Sequence, residues 1–284
     1  MQESFNSKID NLIQHPAQKL PFQKLVFKKD WKIFNVKDKI IYCVEVSGEG
    51  FNEKSNDAFV NKVKVFIKKS PHIFYWVYHL MNPSFAKINA KKLLEGVPSG
   101  KVILNFGSGA TSIRPDVINI DFYPFENVNF VADIADLPFG DRVADVVVSE
   151  CVLEHTPNPK AVVSEMYRVL KPNGLVYVVV PFVFSFHSSP VDFYRWSMMG
   201  MEQMFKDFER VDSGIHFGPG NALNWILAEF FGTIFSFGWK KLHQVLFILF
   251  LILFFPLGYL DIILNRFQSS ENIASHLYFL GRKK

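Results

Sequence analysis

Cysteine is nearly absent: Cys43 and Cys151 are the only two, far apart and without a CxxC spacing. That excludes a disulfide framework and a zinc ribbon, and it fits an intracellular chain. Charge is thin as well. Only 20% of the 284 residues are Asp, Glu, Lys or Arg, and the net charge is +4. This is too modest for the phosphate electrostatics of a nucleic-acid binder, so no nucleic-acid partner is expected. The start, MQESFNSKIDNLIQ, has no apolar run behind a basic one, so no signal peptide is expected. Internal repeats, low-complexity tracts, a Walker loop, a G-x-S-x-G elbow, an NPPY-like motif and glycosidase-type carboxylate pairs are all missing.

What the chain has in excess is apolar surface. Hydrophobic residues make up 49%, and 31 of them are Phe, a composition that suggests a face meant for something other than water. Residues 1–98 are mixed and Lys-rich, with a strand-like piece around Lys39 to Val46 and an apolar helical run at Ile73 to Leu80. The basic run Lys62 to Lys69 alternates with apolar residues, as a solvated strand or helix face does. This N-terminal extension carries no chemical signature.

From Lys101 onward, short apolar strands alternate with turns and helical stretches, the pattern of a parallel α/β sheet. Strands are expected at Val102 to Asn105, Val117 to Asp121, Phe130 to Ala132, Ala144 to Ser149, Leu175 to Val180 and, at the end, His276 to Gly281. A helix is expected over Pro159 to Leu170, stopped by the turn Lys171 to Gly174.

The segment VILNFGSGAT puts Gly107, Ser108 and Gly109 directly after a buried strand, where missing Cβ atoms let a ligand approach the backbone. Asp121 ends the next strand, placed for the two hydroxyls of a ribose. Asp133 ends the third, where it can accept from an adenine amino group while Ile134 packs on the ring. Ser149 and Glu150 emerge from the fourth at the same carboxyl edge. Only twelve positions separate Gly109 from Asp121, against about 20 in dinucleotide folds, and the third glycine is missing. The first helix must then be truncated or absent. A pyrophosphate needs that helix N-terminus, whereas a sulfonium cofactor without phosphate does not.

The successive segments LNFGSG, NIDFY, VADIADLPF, VVVSECVLEH and VSEMYRVLKPNGLVYVVVP resemble, in order and over about Lys101 to Pro181, the motifs of the class I, type 11-like methyltransferases. The short LNxGSG loop is similar to that of a bacterial subgroup linked with surface-polysaccharide or lipid pathways. The resemblance implies a Rossmann-like seven-stranded α/β sheet and S-adenosyl-L-methionine as cofactor. It implies that Gly107 and Gly109 face the methionine part, Asp121 the ribose, and Asp133 with Ile134 the adenine. Asn105 stands where many relatives carry Asp or Glu, and its carbonyl can still accept from the cofactor's ammonium.

Methyl transfer by in-line displacement asks the protein for alignment and, with a hydroxyl acceptor, for proton removal. After the fifth strand, PFVFSFHSSPVDFYRWS crowds His187, Asp192, Tyr194 and Arg195 into the segment this fold uses for substrate. His187 is the first candidate for general base and His155 its rival. Asp192, Tyr194 and Arg195 are the candidate acceptor-binding residues, although Asp192 and Arg195 also suit a local ion pair that fixes the loop. His79, His216, His243 and His276 lack metal-ligand spacing, and no metal is expected.

Residues 222–267 form an apolar helical insertion before the last strand. Leu223, Ile226, Leu227, Phe230, Phe231 and Ile234 share one helical face, and Val245 to Phe255 is apolar all round until Pro256 stops it short of the roughly 20 residues of a simple span. The expectation is a hairpin lying in or on a membrane with both ends on one side. The chain would then be cytoplasmic, peripheral or monotopic at the inner face of the cell membrane, with anionic head groups met by Lys240, Lys241, Arg266 and the terminal Arg282, Lys283 and Lys284. A dimer interface is the competing use of that surface. The expected function is methyl transfer to a small-molecule, lipid or lipid-linked saccharide acceptor. A non-catalytic cofactor-binding scaffold and an NAD-linked sugar oxidoreductase are the alternatives.

Overall fold

A computed structural model describes residues 25–28, 35–37, 40–44, 80–187 and 191–284. Most of the N-terminal extension, including Lys62 to Lys69 and Ile73 to His79, lies outside the described residues. The expected strand around Lys39 to Val46 is shorter where it is described: a hairpin of β1 (Asn35–Lys37) and β2 (Ile40–Tyr42).

The core is a sheet in the order β1-β2-β5-β4-β3-β6-β7-β9-β8. Its strands are β3 (Ile103–Phe106), β4 (Ile118–Asp121), β5 (Phe130–Val131), β6 (Ala144–Glu150), β7 (Leu170–Pro181), β8 (Phe208–Phe217) and β9 (His276–Lys283). From β2 through β7 the neighbours run parallel, and β9 is antiparallel to both β7 and β8. The seven strands from β5 to β8 are the expected Rossmann-like sheet. Among the described residues the β1–β2 hairpin adds two strands to these seven, continuing the sheet beyond β5 through pairs such as Ile41 with Phe130. A distant segment can extend an edge strand without leaving any signal in the local pattern.

Side chains alternate between two packed faces, as the pleat requires. Leu104, Phe106, Ile118, Ile120, Val147 and Val176 point to one face. There α2 (Pro159–Val169) covers them with Val162, Met166 and Val169, and α3 (Met198–Met204) with Met201. Ile103, Val117, Val146, Val148 and Tyr177 point to the other, against Ala90 and Leu94 of α1 (Ala90–Glu95). Asn89 and Asn158 cap α1 and α2 by accepting from Lys92 and Ala161 backbone N–H groups. Arg114 ties the far end of α1 down, donating to the carbonyls of Leu94 and Val97.

Between β8 and β9 runs the helical insertion: α4 (Pro219–Phe235), α5 (Lys240–Phe254), a 3₁₀ stretch Phe255–Leu260, α6 (Asp261–Leu264) and a second 3₁₀ stretch Gln268–Ile273. Pro256 does not end the helical path as expected. Near the start of a 3₁₀ turn its missing N–H costs nothing, and Lys240–Leu264 is one run of 25 residues, long and apolar enough to cross a membrane by length and composition alone. Phe231 and Phe235 of α4 stack against Phe250 and Phe254 of α5, with ring centroids 5.5–6.0 Å apart. The two helices therefore form a hairpin. Its root is fixed by Asp261, whose carboxylate accepts from the backbone N–H groups of Gly220 (2.7 Å) and Asn221 (3.2 Å) and from the Asn221 amide (2.8 Å). Of the cations expected to meet head groups the structure withdraws Lys283, which is buried and donates to the Tyr167 and Leu170 carbonyls.

Candidate active site

The carboxyl edge of β3 turns without any helix, since 107–117 contains only turns and bends before β4. The truncated first helix is thus confirmed. Gly107 (φ +67°) and Gly109 (φ +57°) both lie in the left-handed region that glycine tolerates. They serve different purposes. A Cβ on Gly107 would sit 2.4 Å from Val152 Cγ2, so this glycine lets the loop pack on the chain leaving β6. A Cβ on Gly109 would meet nothing within 4 Å, so there the backbone borders open space. Ser108 is buried between them, its N–H donating to the Ile120 carbonyl at 3.1 Å.

Asp121 closes this loop. One oxygen accepts from the Gly109 N–H (2.8 Å) and the other from the Tyr123 N–H (2.9 Å). Burial raises its pKa, and the same N–H groups pull it back. Each carboxylate oxygen retains acceptor capacity for a ribose hydroxyl. Asn105 is spent in part on its neighbour strand, donating its amide to Asn119 Oδ1 at 3.1 Å, which leaves the carbonyl as its acceptor. Asp133 is exposed at the end of β5 and accepts from the Ala135 N–H (2.8 Å), while Ile134 is buried in the main core. Ile134 therefore offers an adenine ring only its outer edge. Glu150 reaches away to the backbone N–H of Ala90, and burial pushes its carboxyl up to about 7. Ser149 is wholly buried with no hydrogen-bond partner for its hydroxyl. The open glycine backbone, the half-satisfied Asp121 and the Asn105 carbonyl fit a cofactor bearing a ribose and an ammonium. Glu150 fits α1 better.

Past β6 the chain turns through Cys151, a non-glycine residue at φ +56°, which delivers Val152 to the glycine loop and starts the short turn Leu153–His155. Strain of this kind, worth about 1–3 kcal/mol, is held only where the surroundings over-determine it. His155 donates from Nδ1 to the Val191 carbonyl, and its Nε2 stands 3.8 Å from Glu154 Oε1. Burial lowers the His155 pKa, so the ring is neutral at pH 7. Its ring centroid lies 4.9 Å from that of His187, nearly perpendicular. The two rival bases are thus one constellation, brought together from 32 positions apart.

Asp192 is buried under this pair. Its oxygens receive the Arg195 guanidinium at 2.5 and 2.6 Å, and one of them also accepts the His187 backbone N–H at 2.8 Å. Arg195 further donates to the carbonyls of Phe184 and Ser185. These contacts are the loop-fixing ion pair. The structure places Asp192 and Arg195, both expected as acceptor-binding groups, in an ion pair that also holds the His187 backbone. Tyr194 donates to the Pro157 carbonyl (3.1 Å) from an exposed position.

Two residues had no role in the sequence reading. Glu154 is fully buried, neither carboxylate oxygen has a hydrogen-bond partner, and burial pushes its carboxyl up to about 8. The adjacency Glu154–His155 after an apolar strand was its only signal. Trp225, on the insertion, packs at 4.7 Å on Phe184, which in turn lies 5.1 Å from His187. Nothing local in the sequence marks that contact.

Residues 113–178 match a family model described as a methyltransferase domain. Among curated relatives, an arsenite methyltransferase of Halobacterium salinarum is 31% identical over 31% of this chain and 29% of its own. A second arsenite methyltransferase, from Aquipseudomonas alcaligenes, is 41% identical over 19% and 17%. A methyltransferase of Mycobacterium sp. (strain KMS) is 32% identical over 28% of this chain and 39% of its own. The chain thus spans well under half the length of these relatives. The matched stretch begins just after Gly107 and Gly109, ends inside β7, and holds Asp121, Asp133 and the Glu154–His155 turn. Residues 113–178 thus carry a methyltransferase domain.

Proposed function

We propose that the chain moves a methyl group from S-adenosylmethionine to a hydroxyl or carboxylate oxygen of a lipid head group or lipid-linked saccharide at a membrane surface. The observation that carries this reading is the contact chain from the apolar hairpin to the histidine pair: Trp225 on Phe184, and Phe184 on His187. This contact chain links the hairpin, which carries many exposed apolar side chains, to the candidate bases.

Leu223, Ile226, Phe230 and Ile234 of α4, Val245, Leu249, Ile252 and Leu253 of α5, and Phe237 and Trp239 at the tip are all exposed. A contiguous patch of this kind marks an interaction surface. Lys240 and Lys241 open α5, the end where the helix dipole disfavours cations, and an anionic head group offsets that cost. The hairpin leaves and re-enters the sheet at paired residues, Phe217 and His276. That pairing supports a monotopic insertion over a single crossing.

Bound in the loop, S-adenosylmethionine supplies an electrophilic methyl group on a sulfonium. The chain's own residues supply the rest. His187, held by Asp192 and Arg195, is the base for the acceptor proton, and neutral His155 shares that task. A thiophilic acceptor such as arsenite, named for two relatives, suits this site poorly. Cys43 follows β2 and Cys151 follows β6, four strand spacings away, or about 19 Å.

The test supplies isotopically methyl-labelled cofactor with a membrane lipid extract or an aqueous small-molecule extract, and follows flotation on anionic liposomes. Label should enter the lipid fraction, and the protein should float. A variant with Leu249, Ile252 and Leu253 changed to Ser, all exposed, should do neither while remaining folded. Protein that stays soluble without detergent and ignores liposomes would turn the hairpin into an oligomer interface.

A further inference from the structure

We infer that Glu154, His155 and His187 bind a divalent transition-metal cation, with Zn²⁺ the ion their donors suit best. Each offers one ligand atom, and the three atoms lie within 4.8 Å of one another. Spacing along the sequence could not reveal the group, because His187 reaches it from the far side of β7.

The Glu154 carboxylate is the first argument. It is fully buried and neither oxygen is hydrogen-bonded, although a bare buried carboxylate is among the costliest groups a fold can hold. The nearest imidazole nitrogen, His155 Nε2, stands at 3.8 Å, too far for a hydrogen bond. A cation between them would satisfy both.

The second argument is the outer shell. Ligating histidines almost always give their other ring nitrogen to a carbonyl or carboxylate, which fixes the tautomer. His155 gives Nδ1 to the Val191 carbonyl. A carbonyl only accepts, so Nδ1 carries the proton and Nε2 keeps its lone pair on the Glu154 side. His187 Nδ1 lies 3.5 Å from Asp192 Oδ2, an ion-pair distance and not a hydrogen bond, so the outer-shell bond is seen for His155 alone. The rings meet nearly at right angles rather than stacking face to face.

Charge agrees. Glu154, whose carboxyl burial pushes up to about 8, would ionise on meeting a cation, and with Asp192 it would then set two negative charges against the one positive charge of Arg195. The bound cation would offset that net negative charge. Two nitrogens and one carboxylate oxygen form the donor set of three-ligand zinc sites, which leave a further position for a water or substrate oxygen. Zinc bonds of about 2.0–2.2 Å put tetrahedral donors roughly 3.4 Å apart. The side chains must then close by about an ångström, a matter of side-chain torsions.

The cation's chemical role, unlike its binding, rests on the proposed function. There it lowers the pKa of a bound acceptor hydroxyl. The O–H proton goes to solvent, an oxygen–methyl bond forms and the sulfur–methyl bond breaks, leaving a neutral thioether. The two histidines would then act through the cation instead of taking the proton themselves.

The test is spectroscopic and needs no turnover. Full-length protein, stripped with a chelator, is titrated with Co²⁺ and then Zn²⁺. One Co²⁺ per chain should bind with the visible d–d absorption of a four- or five-coordinate ion, and Zn²⁺ should displace it. Glu154→Gln, nearly isosteric, and His187→Ala should each weaken Co²⁺ binding by roughly tenfold or more, while His243→Ala on the hairpin leaves it unchanged. Folded wild-type protein that gives no such absorption overturns the site. So does Co²⁺ binding that survives both Glu154→Gln and His187→Ala. S-adenosylhomocysteine binding, measured alongside, reports on the cofactor site separately, so failure of one inference is distinguishable from failure of the other.

Discussion

Changing Gly107 to Ala tests whether the cofactor loop is held by Val152. The added methyl group incurs two separate costs. At φ +67° a Cβ is strained by about 1–2 kcal/mol, and at 2.4–2.6 Å from the Val152 methyl carbons it overpacks the turn by about 1–3 kcal/mol more. Gly107→Ala should therefore lose roughly 2–5 kcal/mol of unfolding free energy in urea. Val152→Ala removes both methyl carbons. The closest remaining Val152 atom, its Cβ, stands at 3.1 Å, which the loop can absorb by a small shift. In a double-mutant cycle the Gly107→Ala cost in the Val152→Ala background should fall to the backbone part alone, a coupling of about 1–3 kcal/mol. Additive costs within about 0.5 kcal/mol would refute the contact. So would a Gly107→Ala variant as stable as wild type.

The histidine pair predicts that His187→Ala keeps S-adenosylhomocysteine affinity and lowers turnover by a hundredfold to ten-thousandfold at the outside, with His155→Ala doing less. Equal loss of cofactor binding in the His187 variant would instead mark that residue as structural. Glu150 predicts a pH effect. Burial raises its folded pKa to about 7, above its ordinary value of 4.5, so the folded state binds the proton more tightly. Its contribution is full below pH 4.5 and is lost as pH rises toward 7. Glu150→Gln should therefore gain stability relative to wild type between pH 5 and 8, by up to about 3 kcal/mol. A gap that stays constant with pH in urea unfolding would contradict this. Asp261→Ala should loosen the hairpin root, costing about 1–3 kcal/mol through its three buried donors. Limited proteolysis within 219–273 should then accelerate, and an unchanged digestion pattern would refute the anchoring role.

The parallel sheet was legible because its strands are fully apolar and end in turn residues. Ile103–Phe106 and Ala144–Glu150 lie within one residue of their expected bounds. The missing first helix was legible from the twelve positions between Gly109 and Asp121. β7 runs longer than expected: the turn residues Lys171 to Gly174 lie inside Leu170–Pro181, where the pairing with β6 shifts register between Ala144 and Val146. Long-range assembly was not legible. The Asp192–Arg195 pair was legible from its spacing of three, but no local pattern says that Ile41 pairs with Phe130, that His155 meets His187, or that Trp225 reaches Phe184. The Pro256 expectation misled for a physical reason. Proline breaks an α-helix interior, but in a 3₁₀ turn the path continues.

The central claim is a sulfonium cofactor seated between the glycine loop and Asp121. Calorimetric titration of the full chain with S-adenosylhomocysteine, with NAD in parallel, tests it most directly. The account predicts saturable S-adenosylhomocysteine binding, no NAD binding, and a loss of about 1.5–3 kcal/mol in folded Asp121→Ala, the scale of hydrogen bonds to a charged acceptor. NAD binding in place of S-adenosylhomocysteine, or an Asp121→Ala variant with unchanged affinity, would contradict it.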